Sequence, residues 1–262
     1  MTLYNEFAHG GGIPVIDSHG HLGPFSSIYM PEAPLDTMIA GMDRCGVECI
    51  VLSPHTALSG DTREGNREMI EAVRKHPGRV YGYCTLNPNF PDDLPGEMDA
   101  YLDRPGVVGI KIHPEMHACA VGDAKYTPVW ERAHEDRLMV LSHTWGATGL
   151  CGAAEMRAIA ERYREVRLIL GHSCYNAWEP AISLAAEYPN VYLELTAAYH
   201  AYGLIEWMCR DAGPGKVLFG TDYPWFDPMV AIGCVTSAHI EESAMRLILY
   251  DNARALLDEQ RV

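Results

Sequence analysis

Asp17, His19 and His21 alternate strictly in the stretch VIDSHGHLGPF. A two-residue period keeps three such side chains on one face of a strand. Two imidazoles two positions apart can reach a single ion, and imidazole nitrogen with carboxylate oxygen suits zinc and similar divalent ions. Asp17, one step deeper, could instead orient a ligand from behind. More groups of this kind stand at the ends of other short apolar runs. Lys111 and His113 close GIKIHP, His143 closes LSHTWG, His172 closes LGHS, and Asp222 closes FGTDYPW. A lone His-x-His pair is usually structural. Histidine or aspartate at the tips of four strands is hard to obtain from satisfied core histidines, so the set is read as a metal site. His9, His55, His76, His117, His134 and His239 are left as surface or loop residues.

The elements that must hold these groups follow from the apolar runs themselves. There are eight: IPVID, ECIVLS, RVYGYCTL, VVGIKIHP, RLMVLSH, VRLILGH, NVYLELT and KVLFGTD. They are short and rich in Val, Ile and Leu, as strands buried on both faces are. Helical patterns such as PLDTMIAGMDRCG and NREMIEAVRKHPG lie between them. Alternating strand and helix implies parallel strands joined by right-handed crossovers. Eight units predict a (β/α)8 barrel of the TIM type, a single domain over residues 1–262, with its chemistry at the C-terminal strand ends. A doubly wound open sheet is the alternative, weakened by the absence of a GxGxxG turn after the first strand.

Composition narrows the partners. The 262 residues carry a formal net charge of −15, which disfavours nucleic acid and anionic membranes. No apolar run spans a bilayer, and MTLYNEFAHGGG has neither a basic nor an apolar leader region. The eight cysteines form no CxxC pair and are expected to be reduced thiols in a cytoplasmic protein.

Taken in order, DSHGH, GIKIHP, LSHTWG, LGHS, FGTDYPW and the closing DNARALLD resemble the amidohydrolase superfamily. More narrowly they are similar to its amidohydrolase-related family, which includes the aminocarboxymuconate semialdehyde decarboxylase-like proteins. NREMIEAVRKHPGRVYGYCTLNP fits that family's run into strand three, and the resemblance covers essentially the whole chain. It implies a distorted barrel with a divalent metal, usually zinc, at its mouth. His19, His21, His143 and Asp222 would bind the metal, His172 would polarise the substrate or shuttle a proton, and Asp222 would take a proton from metal-bound water. Such a water can have its pKa lowered to about 7. One zinc per chain is favoured. A second metal bridged by a carbamylated Lys111 is the alternative, and otherwise Lys111 binds a substrate carboxylate, with His113 beside it.

Metal-dependent hydrolysis of a C–N or C–O bond in a small organic molecule is therefore expected first. Non-oxidative decarboxylation of an aromatic or muconate-type acid is the alternative. It is placed second because no arginine stands at a strand end, and because aromatic-acid decarboxylases often carry Glu where this chain has His19. A barrel that has lost catalysis is opposed by the intact ligand set. Trp145 and Trp225 could wall the pocket, Glu194 could hydrogen-bond a ligating histidine or pair with a buried base, and Asn252 could cap the last helix or tie it to the barrel. The chain has no room for a large lid, which leaves closure of the pocket to a partner subunit in a homo-oligomer.

Overall fold

The computed structural model describes residues 12–25, 28–31, 33–146 and 149–260; His9 lies outside them. Each apolar run forms a strand: β1 (Val15–Leu22), β2 (Val47–Pro54), β3 (Val80–Thr85), β4 (Val107–Ile112), β5 (Met139–Trp145), β6 (Arg167–Tyr175), β7 (Val191–Glu194) and β8 (Val217–Leu218). They pair in parallel in sequence order. The segment after β8 meets β1 again, through backbone hydrogen bonds from Ser18 to Phe219 and from His21 to Tyr223 and through a bridge between Gly20 and Tyr223. The result is a TIM barrel, as expected from the sequence.

Helices cover the outside. They are α1 (Leu35–Cys45), α2 (His55–Ser59), α3 (Thr62–Lys75), α4 (Leu94–Tyr101), α5 (Thr127–Glu135), α6 (Ala153–Arg162), α7 (Trp178–Glu187), α8 (Leu204–Asp211), α9 (Pro228–Thr236), α10 (Glu242–Arg246) and α11 (Asn252–Glu259). Their limits follow local chemistry: Asp61 caps α3 at the Glu64 N–H, and Gly46 ends α1 in the left-handed region. Met38, Met42, Met69, Trp130 and Leu184 fill the layer between strands and helices. Burying one such side chain contributes about 1.5–3 kcal/mol.

Inside the barrel, alternate residues such as Cys49 and Val51, Tyr81 and Tyr83, and Met139 and Leu141 pack together. Ala253, Leu256 and Leu257 of α11 belong to the same inner core. Asn252 donates to the carbonyls of Pro214 and Val217, at 2.8 Å each, so it ties α11 to β8 rather than capping it. With the interior filled, only the strand tips are left to build a site.

Candidate active site

Seven elements bring side chains to the mouth. β1 supplies His19 and His21, the end of β4 Lys111 and His113, β5 His143 and Trp145, and β6 His172. β7 supplies Glu194, the segment after β8 supplies Asp222 and Trp225, and α2 begins with His55. Strict alternation does not hold throughout. The β1–β2 register shifts between Asp17 and Gly20, and Asp17 turns away from the site. Its carboxylate accepts the backbone N–H groups of His19 and Thr221 and the Thr221 hydroxyl, so it fixes the β1 backbone and not a ligand ring. Burial raises the Asp17 pKa to about 7.

His19 and His21 each direct Nε2 at Asp222 Oδ1, at 3.0 and 3.1 Å. These three ligand atoms all lie within 4.8 Å of one another. The tautomers follow from the other ring nitrogens. His19 Nδ1 is 2.9 Å from Glu194 Oε2, and His21 Nδ1 is 3.0 Å from the Ser53 carbonyl, so each Nδ1 carries a hydrogen and the neutral form of each ring presents Nε2 as a lone-pair donor. Two imidazole nitrogens and a carboxylate oxygen thus converge on one place. The donor set therefore fits a divalent metal. Lys111 supplies positive charge at its edge, with Nζ 2.7 Å from His19 Nε2. Burial lowers the Lys111 pKa to about 8, against the pull of Asp222 and Glu194.

His143 does not join the triad. Its Nε2 is 3.0 Å from Glu115 Oε2, and its ring stacks on His113 with centroids 3.9 Å apart. His172 lies between the two groups, 5.2 Å from the His19 ring and 4.7 Å from the His143 ring. Its Nδ1 is buried, is 3.9 Å from Asp222 Oδ2 and has no hydrogen-bond partner among the described residues. Burial lowers the pKa of both His143 and His172 to about 3. His172 and Asp222 are both in the left-handed region, at φ 64° and 57°, although neither is glycine. Strain of this kind gathers at functional sites. β8 ends at Leu218 and the backbone is left-handed at Asp222, so a two-residue period from Leu218 does not decide where Asp222 points.

Glu194 joins these parts. Oε2 accepts from His19 Nδ1 and from the His172 backbone N–H at 3.0 Å, while Oε1 accepts from the Thr196 N–H at 2.6 Å. Of the two partners open to Glu194 from sequence, a histidine or a buried base, the structure gives His19. Gly220 lies directly behind it: a Cβ there would stand 2.1 Å from Glu194 Oε1 and 2.9 Å from His19 Cβ.

These groups open into a cavity of about 310 Å³ walled by Phe25, Leu58, Trp145, Trp225 and Phe226, with Lys111 and His113 also in its lining. Both tryptophans read from sequence as pocket walls line it. Other residues escaped the sequence reading, among them the walls Phe25, Leu58 and Phe226. Glu115 holds His143, and His55, assigned to the surface or a loop, is 2% exposed and lines the cavity. His117, assigned likewise, is buried. Inward parity along Cys49, Val51 and Ser53 carries on to His55 and was the available signal; Glu115 stands in an aperiodic loop and had none.

A profile of the amidohydrolase family matches residues 16–258. A curated relative, gamma-resorcylate decarboxylase of a Polaromonas species, is 23% identical over 88% of this chain and 86% of its own. Among solved structures, an uncharacterized TIM-barrel protein of Bordetella bronchiseptica superposes with a TM-score of 0.79 at 17% identity, covering 94% of this chain and 99% of its own. The 5-carboxyvanillate decarboxylase of Novosphingobium aromaticivorans, complexed with manganese and a nitrobenzoic acid, gives 0.75 at 14% identity, over 94% and 96%. These matches correct the expectation that hydrolysis comes first: of the three relatives described, the two named for a reaction are decarboxylases.

Proposed function

The chain belongs to the amidohydrolase family, and from that premise we propose that it is a metal-dependent, non-oxidative decarboxylase of a small aromatic acid. The observation that carries this reading is the cavity. A His–His–Asp cation site and a lysine ammonium open together into a chamber walled by Phe25, Trp145, Trp225 and Phe226. Aromatic walls stack on an aromatic ring, and a buried ammonium answers a carboxylate. The missing arginine that set decarboxylation second is thus made good by Lys111. The names of the relatives, gamma-resorcylate and 5-carboxyvanillate decarboxylase, support the same chemistry.

We assign His19, His21 and Asp222 to hold one divalent ion, with His143 as the fourth ligand once its ring turns from Glu115, the partner of its Nε2 in this structure. Imidazole and carboxylate donors suit zinc and manganese alike, and manganese in the Novosphingobium relative moves the expectation from zinc toward manganese. When bound, the ion supplies a Lewis acid for the substrate's oxygen atoms. In the reaction the bond from ring carbon to carboxyl carbon breaks, carbon dioxide leaves, and the ring carbon keeps the electron pair and takes a proton. Asp222 Oδ2 and His172 Nδ1 are the groups we assign to carry that proton, and the unpartnered state of His172 Nδ1 supports this. Lys111 and His113 orient the acid. None of the eight cysteines is in a disulfide, which supports a cytoplasmic setting, and among the described residues no helix is long and apolar enough to cross a membrane. The test is release of labelled carbon dioxide from carboxyl-13C hydroxybenzoates by metal-loaded protein, beside an amide and lactone panel. Release from at least one acid is expected; hydrolysis of a panel member with no release from any acid would overturn the reading.

A further inference from the structure

His55 makes contacts that the metal site does not require. Its Nδ1 is 2.7 Å from the Gly23 carbonyl, and its Nε2 accepts from the Trp225 indole N–H, also at 2.7 Å. The first contact fixes the hydrogen on Nδ1, and the second needs a bare Nε2, so one neutral tautomer satisfies both. The His55 ring stacks on His21, with centroids 4.7 Å apart, and meets Phe25 at 5.3 Å. One imidazole therefore ties the loop after β1 to the segment after β8. Both of these segments border residues of the cation triad. The indole N–H is spent on His55, which leaves the indole to face the cavity as an apolar wall with Phe25, 5.1 Å away.

We propose that His55 is a specificity-determining positioning residue: by holding the Trp225 indole against the β1 loop, it sets the width of the slot that receives the substrate ring. The proposal rests on the reading of the cavity as an aromatic-acid site. His55 touches neither the reacting atoms nor the ion. It acts through Trp225, whose backbone N–H is itself tied to the Asp222 carbonyl at 2.7 Å.

Two measurements test it. In 15N–1H spectra the Trp225 indole signal, one of five tryptophans, is identified by its loss in Trp225→Phe. It is expected downfield and slow to exchange in the native chain, upfield and faster in His55→Phe, and near its native place in His55→Gln, whose amide oxygen can accept the same hydrogen. Benzoate is then titrated against metal-loaded protein by tryptophan fluorescence. Its dissociation constant is expected to rise about tenfold in His55→Phe, the scale of one lost hydrogen bond, and to recover to within about threefold in His55→Gln. Metal content should stay native in both, and the loss should appear in KM rather than kcat. Should His55→Phe fail to fold, Trp225→Phe removes the same hydrogen bond from the other side and carries the same expectation for benzoate. An unmoved indole signal, or native benzoate affinity in His55→Phe, would overturn the proposal. A native chain that binds no aromatic acid would bring down the decarboxylase reading instead, while the indole signal still decides whether His55 holds Trp225.

Discussion

Replacing Glu194 with glutamine leaves the shape of the side chain and removes its charge. The carboxylate now accepts three hydrogens, two on Oε2 and one on Oε1. A glutamine can turn its oxygen to His19 and His172, but its NH2 group must then face the Thr196 N–H, donor against donor. Turned the other way, it sets the NH2 group against both His19 Nδ1 and the His172 N–H. Neither orientation satisfies the site. Hydrogen bonds to a charged group contribute about 1.5–3 kcal/mol, and loss of a group that orients a ligating histidine typically lowers metal affinity about 10–100-fold. Loss of the negative charge acts in the same direction. The expected result for Glu194→Gln is therefore a 10–100-fold rise in the metal dissociation constant, read by competition with a fluorescent chelator. Urea unfolding of the metal-free proteins separates this from a general loss of structure. Affinity within twofold of native would refute the idea that Glu194 positions His19 for an ion.

His143→Ala is expected to weaken metal binding strongly and His113→Ala to leave it near native, measured by metal content after dialysis; the reverse pattern would exchange their assigned roles. Lys111→Met should raise KM for an aromatic acid about 10²-fold, within the range for removing one partner of a buried charge pair, and a KM within threefold of native would remove Lys111 from carboxylate binding. Metal-free protein is expected to lose stability in acid. Burial lowers the His55 and His172 pKa values to about 3, against an ordinary 6.5, and lowers that of His117 as well. Above 6.5 both folded and unfolded chains leave these rings neutral. As pH falls below 6.5 only the unfolded chain takes up the protons, so stability drops, by up to ~1.4 kcal/mol per pH unit for each ring, and the three rings together outweigh the opposite effect of Asp17, whose raised pKa of about 7 lets the folded chain take up one proton first. Urea midpoints at pH 7.5 and 5 measure this, and equal values would refute it.

The barrel was legible because parallel strands covered on both faces appear as continuous apolar runs, and all eight were found in order. The site was legible where strand parity runs unbroken to the tip, as in Met139, Leu141 and His143. It was not legible where the backbone leaves that pattern. His172 and Asp222 were found as residues at strand ends, but their left-handed turns decide where they point, and no two-residue period encodes those. Asp17 looked like a companion of His19 and His21 until the register shift in β1 took it to Thr221. His55 was hidden by Pro54, which reads as the end of a strand although the inward series continues one step beyond it.

The space behind Glu194 has a consequence for how this sequence can change. Even a methyl group at position 220 would stand 2.1 Å from the carboxylate oxygen, so alanine there and glutamate at 194 exclude each other. The two positions are far apart in the chain and belong to neighbouring strand ends. A descendant that fills the gap at 220 must first shorten or lose the acid at 194, and with it the support for His19. Divergence of this barrel toward other chemistry therefore has an ordered route, in which the glycine is the last of the pair free to mutate.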